Sequence, residues 1–453
     1  MAAASAAYPA WRETPIQSRV RVYLKYQQLV RENMDDVARL ITLEQGKTMA
    51  DARGDVFRGL EVVEHACSAA TLTMGETAEN LAANVDSYSY RVPLGVAAGI
   101  TPFNFPAMIP LWMFPLATAC GNTYVLKPSE RDPGATMRLI ELAEEAGVPP
   151  GVVNVIHGAH DAVNFVCDAP AIKAISFVGG NTAGEHIYAR GTANGKRVQS
   201  NMGAKNHGVI MPDADKESVL NALVGAAFGA AGQRCMALST AVFVGAAAEW
   251  IPEIAERAAA LKVGPGHEDG VDVGPMISPA AVARANSIIQ AGVDAGGKLL
   301  LDGRGVAPPG YESGNWLGPT LISEAGPGNP AYEEEVFGPV LVTTAVDSLE
   351  AAIALVNANK YGNGTAIFTQ SGAAARKFQH EVEAGQVGIN IPIPVPLPFF
   401  SFTGNKASIR GDLNFYGKAG AQFFTQMKTI TSSWRYNEAS VGLSTSMPLL
   451  GGK

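Results

Sequence analysis

Apolar residues recur at helical spacing over residues 17–45, where Val20, Leu24, Val30, Met34, Val37 and Ile41 share one side. This predicts a long amphipathic helix, and a second is expected over roughly 53–79. The texture then changes to short apolar runs separated by glycine and proline. Strands are expected at 96–100, 123–126, 152–156 and 171–178, with helices at 108–120 and 135–146 between them. A second alternating region opens near Gly208, with helices over 215–230, 279–291, 348–358 and 372–383. Strands are expected there at 241–244, 365–369 and 387–390. Strand and helix taking turns is the pattern of parallel βαβ units, whose ligands gather beyond the C-terminal ends of the strands. Residues 84–95 and 428–435 instead alternate like exposed strands. Two such segments far apart in the chain fit a small sheet with a free edge, a natural docking surface for another subunit.

The run from Val92 to Leu126 carries no charge and is long enough to span a bilayer. Five prolines and two asparagines interrupt it, so a buried strand, loop and helix is the better reading. Residues 386–405 are also uncharged, with prolines at 392, 394, 396 and 398 that impose an extended loop.

At 453 residues the chain is too long for one core and calls for two or three domains. Hydrophobic residues make up 47% and charged residues 17%, a globular balance. The net charge of -8 leaves no basic footprint for nucleic acid. The four cysteines (Cys67, Cys120, Cys167, Cys235) are widely spaced and form no C-x-x-C pair, which argues against a zinc site or a disulfide framework. The first ten residues lack a basic stretch and a long apolar core, so they do not read as a secretory signal.

Cys235 is the first candidate for chemistry. It follows glycine and small residues in Gly232-Gln-Arg-Cys235, where backbone can be approached closely, and the adjacent Arg234 would favour the attacking thiolate. A small buried hydrophobe is the plainer reading of a lone cysteine. Asn104, in Thr101-Pro-Phe-Asn-Phe-Pro106 after a strand, is either an oxyanion donor or a turn asparagine. Lys127 and Glu130 follow another strand and suit ribose hydroxyls, or are a solvated strand end. Phe177-Val-Gly-Gly180 closes a strand and opens a helix, where glycine admits a phosphate; the G-x-G-x-x-G fingerprint is absent. Glu335, before Val-Phe-Gly-Pro339, is a ribose acceptor or a charged turn. The seven histidines show no metal-ligand spacing, so no metal is expected, and nothing local supports a Cys235–His207 hydrolase pair.

Taken together and in this order, these motifs resemble the aldehyde dehydrogenase superfamily over about residues 10–435. The resemblance implies an α/β fold with a Rossmann-type NAD-binding domain (1–83 and 97–205), an α/β catalytic domain (206–427) and a small oligomerisation sheet (84–96 and 428–453). It implies Cys235 as nucleophile, and Asn104 with the Cys235 backbone N–H as the oxyanion site. Lys127 and Glu130 would hold the adenosine ribose and Glu335 the nicotinamide ribose, with Phe103, Gly180 and Phe337 as further cofactor contacts. Glu130 favours NAD, because a carboxylate repels the 2′-phosphate of NADP.

One departure from the family pattern is informative. Most members carry a glutamate that activates water for thioester hydrolysis, in Glu-Leu-Gly-Gly-Lys. Here the stretch is Asn201-Met-Gly-Ala-Lys205. Asparagine takes no proton at neutral pH, so the acyl group is left for a thiol such as coenzyme A. The sequence is thereby most similar to the acylating methylmalonate-semialdehyde dehydrogenases. That implies a small carboxylated aldehyde as substrate, with Arg58 and Arg234 binding the carboxylate. The expected products are propionyl-CoA or acetyl-CoA with loss of carbon dioxide, in valine, pyrimidine or inositol breakdown. The rivals are an aldehyde dehydrogenase of different substrate and a non-catalytic scaffold. A homodimer or homotetramer without membrane contact is expected. Family members usually carry several dozen more residues before Tyr8, and no targeting segment is visible, which leaves the cytoplasm or the mitochondrial matrix.

Overall fold

A computed structural model describes residues 1–434, 436 and 445. Three sheets organise them, in two α/β units and one small flap. The first unit is a six-stranded sheet. Its order is Ile409–Arg410, Arg197–Asn201, Ile172–Val178, Val96–Ile100, Thr123–Lys127, Val153–Val155, and all pairs are parallel except the first. The chain runs outward from Val96–Ile100 in one direction, then returns to its other side with Ile172–Val178. This reversal opens a crevice beyond Ile100 and Val178, the place where open α/β sheets bind ligands.

The second unit is a seven-stranded sheet in the order Lys298–Leu301, Thr320–Ser323, Val340–Val346, Leu238–Val244, Asn206–Ile210, Gly364–Phe368, Gln386–Ile389. Only the first pair is antiparallel. Met202 to Lys205 carries the chain directly from one sheet to the other.

The expected α/β alternation is present, with two corrections near the start. The 17–45 helix is two helices, Ile16–Glu32 and Met34–Gln45. Asn33 joins them: its side-chain amide donates to the Leu29 carbonyl at 2.8 Å and closes the first. Asp35 and Asp36 then sit in the first turn of the second, where the helix dipole favours acid. The 53–79 helix is Met49–Ala66, capped by Thr48, followed by one short turn Ala69–Leu72. Residues 77–82 leave it to form a strand paired with Val85–Pro93.

The uncharged stretch from Val92 holds strand Val96–Ile100 and helix Met108–Ala119, whose residues are all buried. Among the described residues no helix is long and apolar enough to cross a membrane. In the largest core, that helix meets Tyr26 of helix Ile16–Glu32 through Phe114, and Phe402 and Tyr416 through Trp112.

The flap is an antiparallel sheet of Thr77–Ala82, Val85–Pro93 and Thr425–Ser433. Its last strand begins three residues before the expected 428. Within the expected 428–453 segment, residues 435, 437–444 and 446–453 lie outside the described residues. Leu81, Tyr88, Tyr90 and Met427 are exposed on the flap.

Candidate active site

Cys235 lies at the N-terminal edge of the second sheet, just before Leu238–Val244. Helix Lys216–Phe228 stops short of the expected 230 because the backbone turns left-handed at Ala230 (φ 50) and Ala231 (φ 53). Such values are costly for residues with a Cβ and persist only where the surroundings impose them. Asp51 does so: its carboxylate accepts from the Ala230 N–H at 3.0 Å and pairs with Arg234. Gly232 completes the turn at φ +66, and a Cβ there would collide with the Gly338 carbonyl. Two amides then grip the Cys235 carbonyl, Asn206 at 2.9 Å and Asn363 at 3.1 Å.

Asn104 arrives from the opposite side, on the loop beyond Val96–Ile100, and is buried. Its Nδ2 donates to the Gln233 carbonyl at 2.9 Å. The amide has a second N–H. The structure thus brings Asn104 within two residues of Cys235, across the joint between the two sheets.

Burial pushes the Cys235 thiol up to about 12, and the Glu335 carboxylate adds to this, while nearby N–H groups and Lys47 work the other way. The thiol is therefore protonated at neutral pH in this state. The expected activation by Arg234 is not what the structure shows: its guanidinium is engaged by Asp51 and lies against Gly229. Arg58 is engaged too, by Glu61 and by the Val395 and Pro396 carbonyls at 3.0 and 3.1 Å, so it anchors the proline-rich loop. His207 bonds the Lys205 carbonyl and Tyr332, and burial lowers it to about 4. It has turned from Cys235, and the hydrolase pair falls.

The remaining candidates sit at or just after the C-terminal ends of the first sheet's strands, or just before Val340–Val346 of the second. Lys127 is buried and meets Glu130 at 2.7 Å. Burial works to raise the Glu130 carboxyl, yet the Lys127 hydrogen bond and charge leave it below its ordinary value. Gly180 precedes helix Asn181–Ala193, whose N-terminus has no side-chain cap, and the space where a Cβ of Gly180 would stand is open. Glu335 accepts from the Ala204 N–H at 2.9 Å, and burial raises it to about 6. Phe337 and Phe103 stand edge to face, 5.9 Å apart. A cavity runs beside Cys235, lined by Asn206, Arg234, Glu335 and Phe337.

The aldehyde dehydrogenase family model matches residues 1–430. The chain belongs to the aldehyde dehydrogenase family. A rat relative, mitochondrial methylmalonate-semialdehyde/malonate-semialdehyde dehydrogenase [acylating], is 61% identical over 452 residues, covering 100% of this chain and 84% of that protein. A solved methylmalonate-semialdehyde dehydrogenase from Oceanimonas doudoroffii superposes with a TM-score of 0.95 at 46% identity, over 96% of this chain and 90% of that one. A Sinorhizobium meliloti structure, solved as a complex with NAD, also gives 0.95, at 45% identity, over 96% and 89%. The expected α/β fold is that of the family.

A dinucleotide fits the residues present. The uncapped helix N-terminus suits a pyrophosphate, and Lys127, Glu130 and Glu335 are polar groups of the kind that bond ribose hydroxyls. Several site residues escaped the sequence reading. Asp51, Asn206 and Asn363 shape the turn that carries the cysteine. Lys47 and Asp55 form a fully buried pair behind Asn104. None belongs to a motif that signals chemistry by itself; Lys47 reads as a helix end after Gly46.

Proposed function

We propose that this chain catalyses the NAD-dependent, CoA-acylating oxidation of methylmalonate semialdehyde and malonate semialdehyde to propionyl-CoA and acetyl-CoA. Asn201 carries this reading. It is buried, and its Nδ2 donates to Asn363 at 3.1 Å. An amide so placed accepts no proton from water, so a thioester on Cys235 is left to a thiol.

The chain's own groups support each step. The Cys235 thiol gives its proton to water, and its sulfur forms a bond to the aldehyde carbon. The carbonyl electron pair moves to oxygen, which the Asn104 amide and the Cys235 N–H receive. NAD, when bound, supplies the acceptor for the hydride released as that adduct becomes a thioester on Cys235. The bond to the substrate carboxylate breaks to release carbon dioxide, and the α-carbon takes a proton from water in its place; the coenzyme A thiol bonds the acyl carbon as the bond to Cys235 breaks, and its proton passes to the freed sulfur. Lys127 and Glu130 hold the adenosine ribose, Glu335 the nicotinamide ribose, and Phe103, Gly180 and Phe337 flank the cofactor. Arg58 and Arg234 bind the substrate carboxylate, which must share each guanidinium with Glu61 or Asp51.

The unit on the six-stranded sheet is the cofactor domain and the seven-stranded unit the catalytic one. The exposed apolar side chains of the flap support a homodimer or homotetramer, which light scattering would test. The rat relative's name favours the mitochondrial matrix over the cytoplasm, a choice that cell fractionation decides.

The deciding experiment follows NADH from methylmalonate semialdehyde with and without coenzyme A. Turnover that needs coenzyme A is expected. Equal turnover without it would overturn the acylating assignment and point to Glu335 as a base for water. No NADH from folded protein would favour a scaffold.

A further inference from the structure

Lys47 is among the largest fully buried side chains of the molecule, and its ion-pair partner Asp55 is equally buried. Such a pair gives up the hydration of two charges. Hydrophobic residues of the same volume often stabilise a fold as well or better, so stability alone does not account for it.

Its geometry offers another account. The Lys47 Nζ lies 3.1 Å from the Asp55 carboxylate and donates at 2.6 Å to the backbone carbonyl of Asn104. It also sits 4.2 Å above the centre of the Phe105 ring, a favourable place for a cation. The other Asp55 oxygen accepts from the Met108 N–H at 2.7 Å, where helix Met108–Ala119 begins. One ion pair thus holds the Asn104 loop at its tip and at its exit.

Lys47 is itself held from the catalytic side. The Met49 N–H donates to the Gly266 carbonyl, and Cβ atoms at Gly266 or Gly274 would strike the Gly46–Lys47 backbone. The Lys47 backbone is therefore packed on the catalytic unit, while its ammonium bonds the loop of the first unit. The ammonium also acts on the Cys235 thiol in the direction that favours the thiolate.

We propose that Lys47 is a positioning residue for the reaction: anchored by Asp55, it fixes the Asn104 backbone so that the Asn104 amide faces the oxygen that gains charge when Cys235 attacks. This rests on the reading of Asn104 as oxyanion donor given above.

The test is a cycle of Lys47→Met/Asp55→Asn, Asn104→Ala and their combination, each verified as folded by its melting curve. The Met/Asn replacement removes both charges together and keeps an acceptor for Met108, so no lone buried charge threatens folding. The readouts are the NADH burst of the acylation step, KM for the aldehyde, and Cys235 alkylation by iodoacetamide. Asn104→Ala slows acylation about 10²–10³-fold, the cost of an oxyanion donor. The charge-pair variant slows it about 10–10²-fold, a share of that cost, with KM little changed. In the combination the two losses do not multiply, because Lys47 acts through Asn104. Losses that do multiply, or a charge-pair variant with a normal burst, would overturn the role of Lys47 while leaving Asn104 in place. A normal burst from Asn104→Ala would instead remove the oxyanion reading itself.

Discussion

Replacing Glu335 by Gln sets stability against function. Burial raises this carboxyl from its ordinary 4.5 to about 6, although the Ala204 N–H and the Lys205 ammonium favour its charged form. A carboxyl that folding makes less acidic binds more protons in the folded than in the unfolded chain between those two values. Folding therefore loses stability as pH rises through that window, and the whole cost, about 2 kcal/mol, stands above pH 6. Gln is neutral throughout, and its Oε1 can still accept from Ala204. Glu335→Gln should thus be more stable than the parent at pH 8 by up to about 2 kcal/mol, with the gain gone below pH 4.5. Guanidinium midpoints of the cofactor-free proteins at pH 4, 6 and 8 measure this. The same change loses the charged ribose acceptor and should weaken NAD about 10–100-fold, from about 1.5–3 kcal/mol for a hydrogen bond to a charged group. It also removes the negative charge that works against the Cys235 thiolate, so iodoacetamide alkylation should quicken. A variant less stable at pH 8, or a gain independent of pH, would refute the view that Glu335 is kept at a cost to the fold.

Three further outcomes are expected. Asn201→Glu places a general base beside the acyl group and should raise CoA-independent turnover about 10²–10⁴-fold; a burst without sustained turnover would show that the geometry, not the residue type, blocks water. Arg58→Lys and Arg234→Lys should each raise KM for malonate semialdehyde but not for an uncharged aldehyde of similar size, and equal effects on both would remove these residues from substrate binding. Asn206→Ala strips the Ala237 carbonyl and the buried Gly364 N–H of their side-chain partner and leaves the Cys235 carbonyl to Asn363 alone, and at about 1–3 kcal/mol per orphaned group it should lower the denaturation midpoint clearly; an unchanged midpoint would mean that water or backbone replaces these bonds.

Motifs continuous in the chain were legible, as was the pairing of the two exposed strands far apart in sequence, but the side-chain contacts that hold the site were not. Thr101-Pro-Phe-Asn-Phe-Pro106 and Gly-Gln-Arg-Cys235 announce themselves because each motif is continuous. The contacts that hold them are not: Lys47 reaches Asn104 across 57 positions, Asn363 reaches Cys235 across 128, and Asp51 reaches Arg234 across 183. The thiolate-favouring role expected of Arg234 finds no support for this reason, since its neighbour in sequence is the thiol and its ion-pair partner in space is Asp51; its proposed role toward the substrate carboxylate is separate. Helix errors had local causes. Val30, Met34 and Val37 keep helical spacing across the Asn33 joint, so periodicity cannot see the break. Thr77–Ala82 is almost wholly exposed, and with no buried face it has no alternation to read; only its pairing with Val85–Pro93 makes it a strand.

The two sheets contribute opposite edges to one site, and this shapes what controls the chemistry. The first sheet offers the ends of its strands, with Asn104 and Gly180. The second offers the beginnings of its strands, with Cys235 and Glu335. Polar links cross the joint at several points, among them Asn104 with the Gln233 carbonyl, Ala204 with Glu335, Asn201 with Asn363, and Asp51 with Arg234. Cys235 and Asn104 therefore have no fixed geometry within either unit alone. Their separation is set by how the units dock, and Glu335 and Asn201, proposed above for the cofactor and the acyl step, are among the groups that hold the docking. A change in Glu335 or Asn201 should then be felt at Cys235 even where neither touches the substrate. The alkylation rate of Cys235 reads that docking directly, without any requirement for turnover.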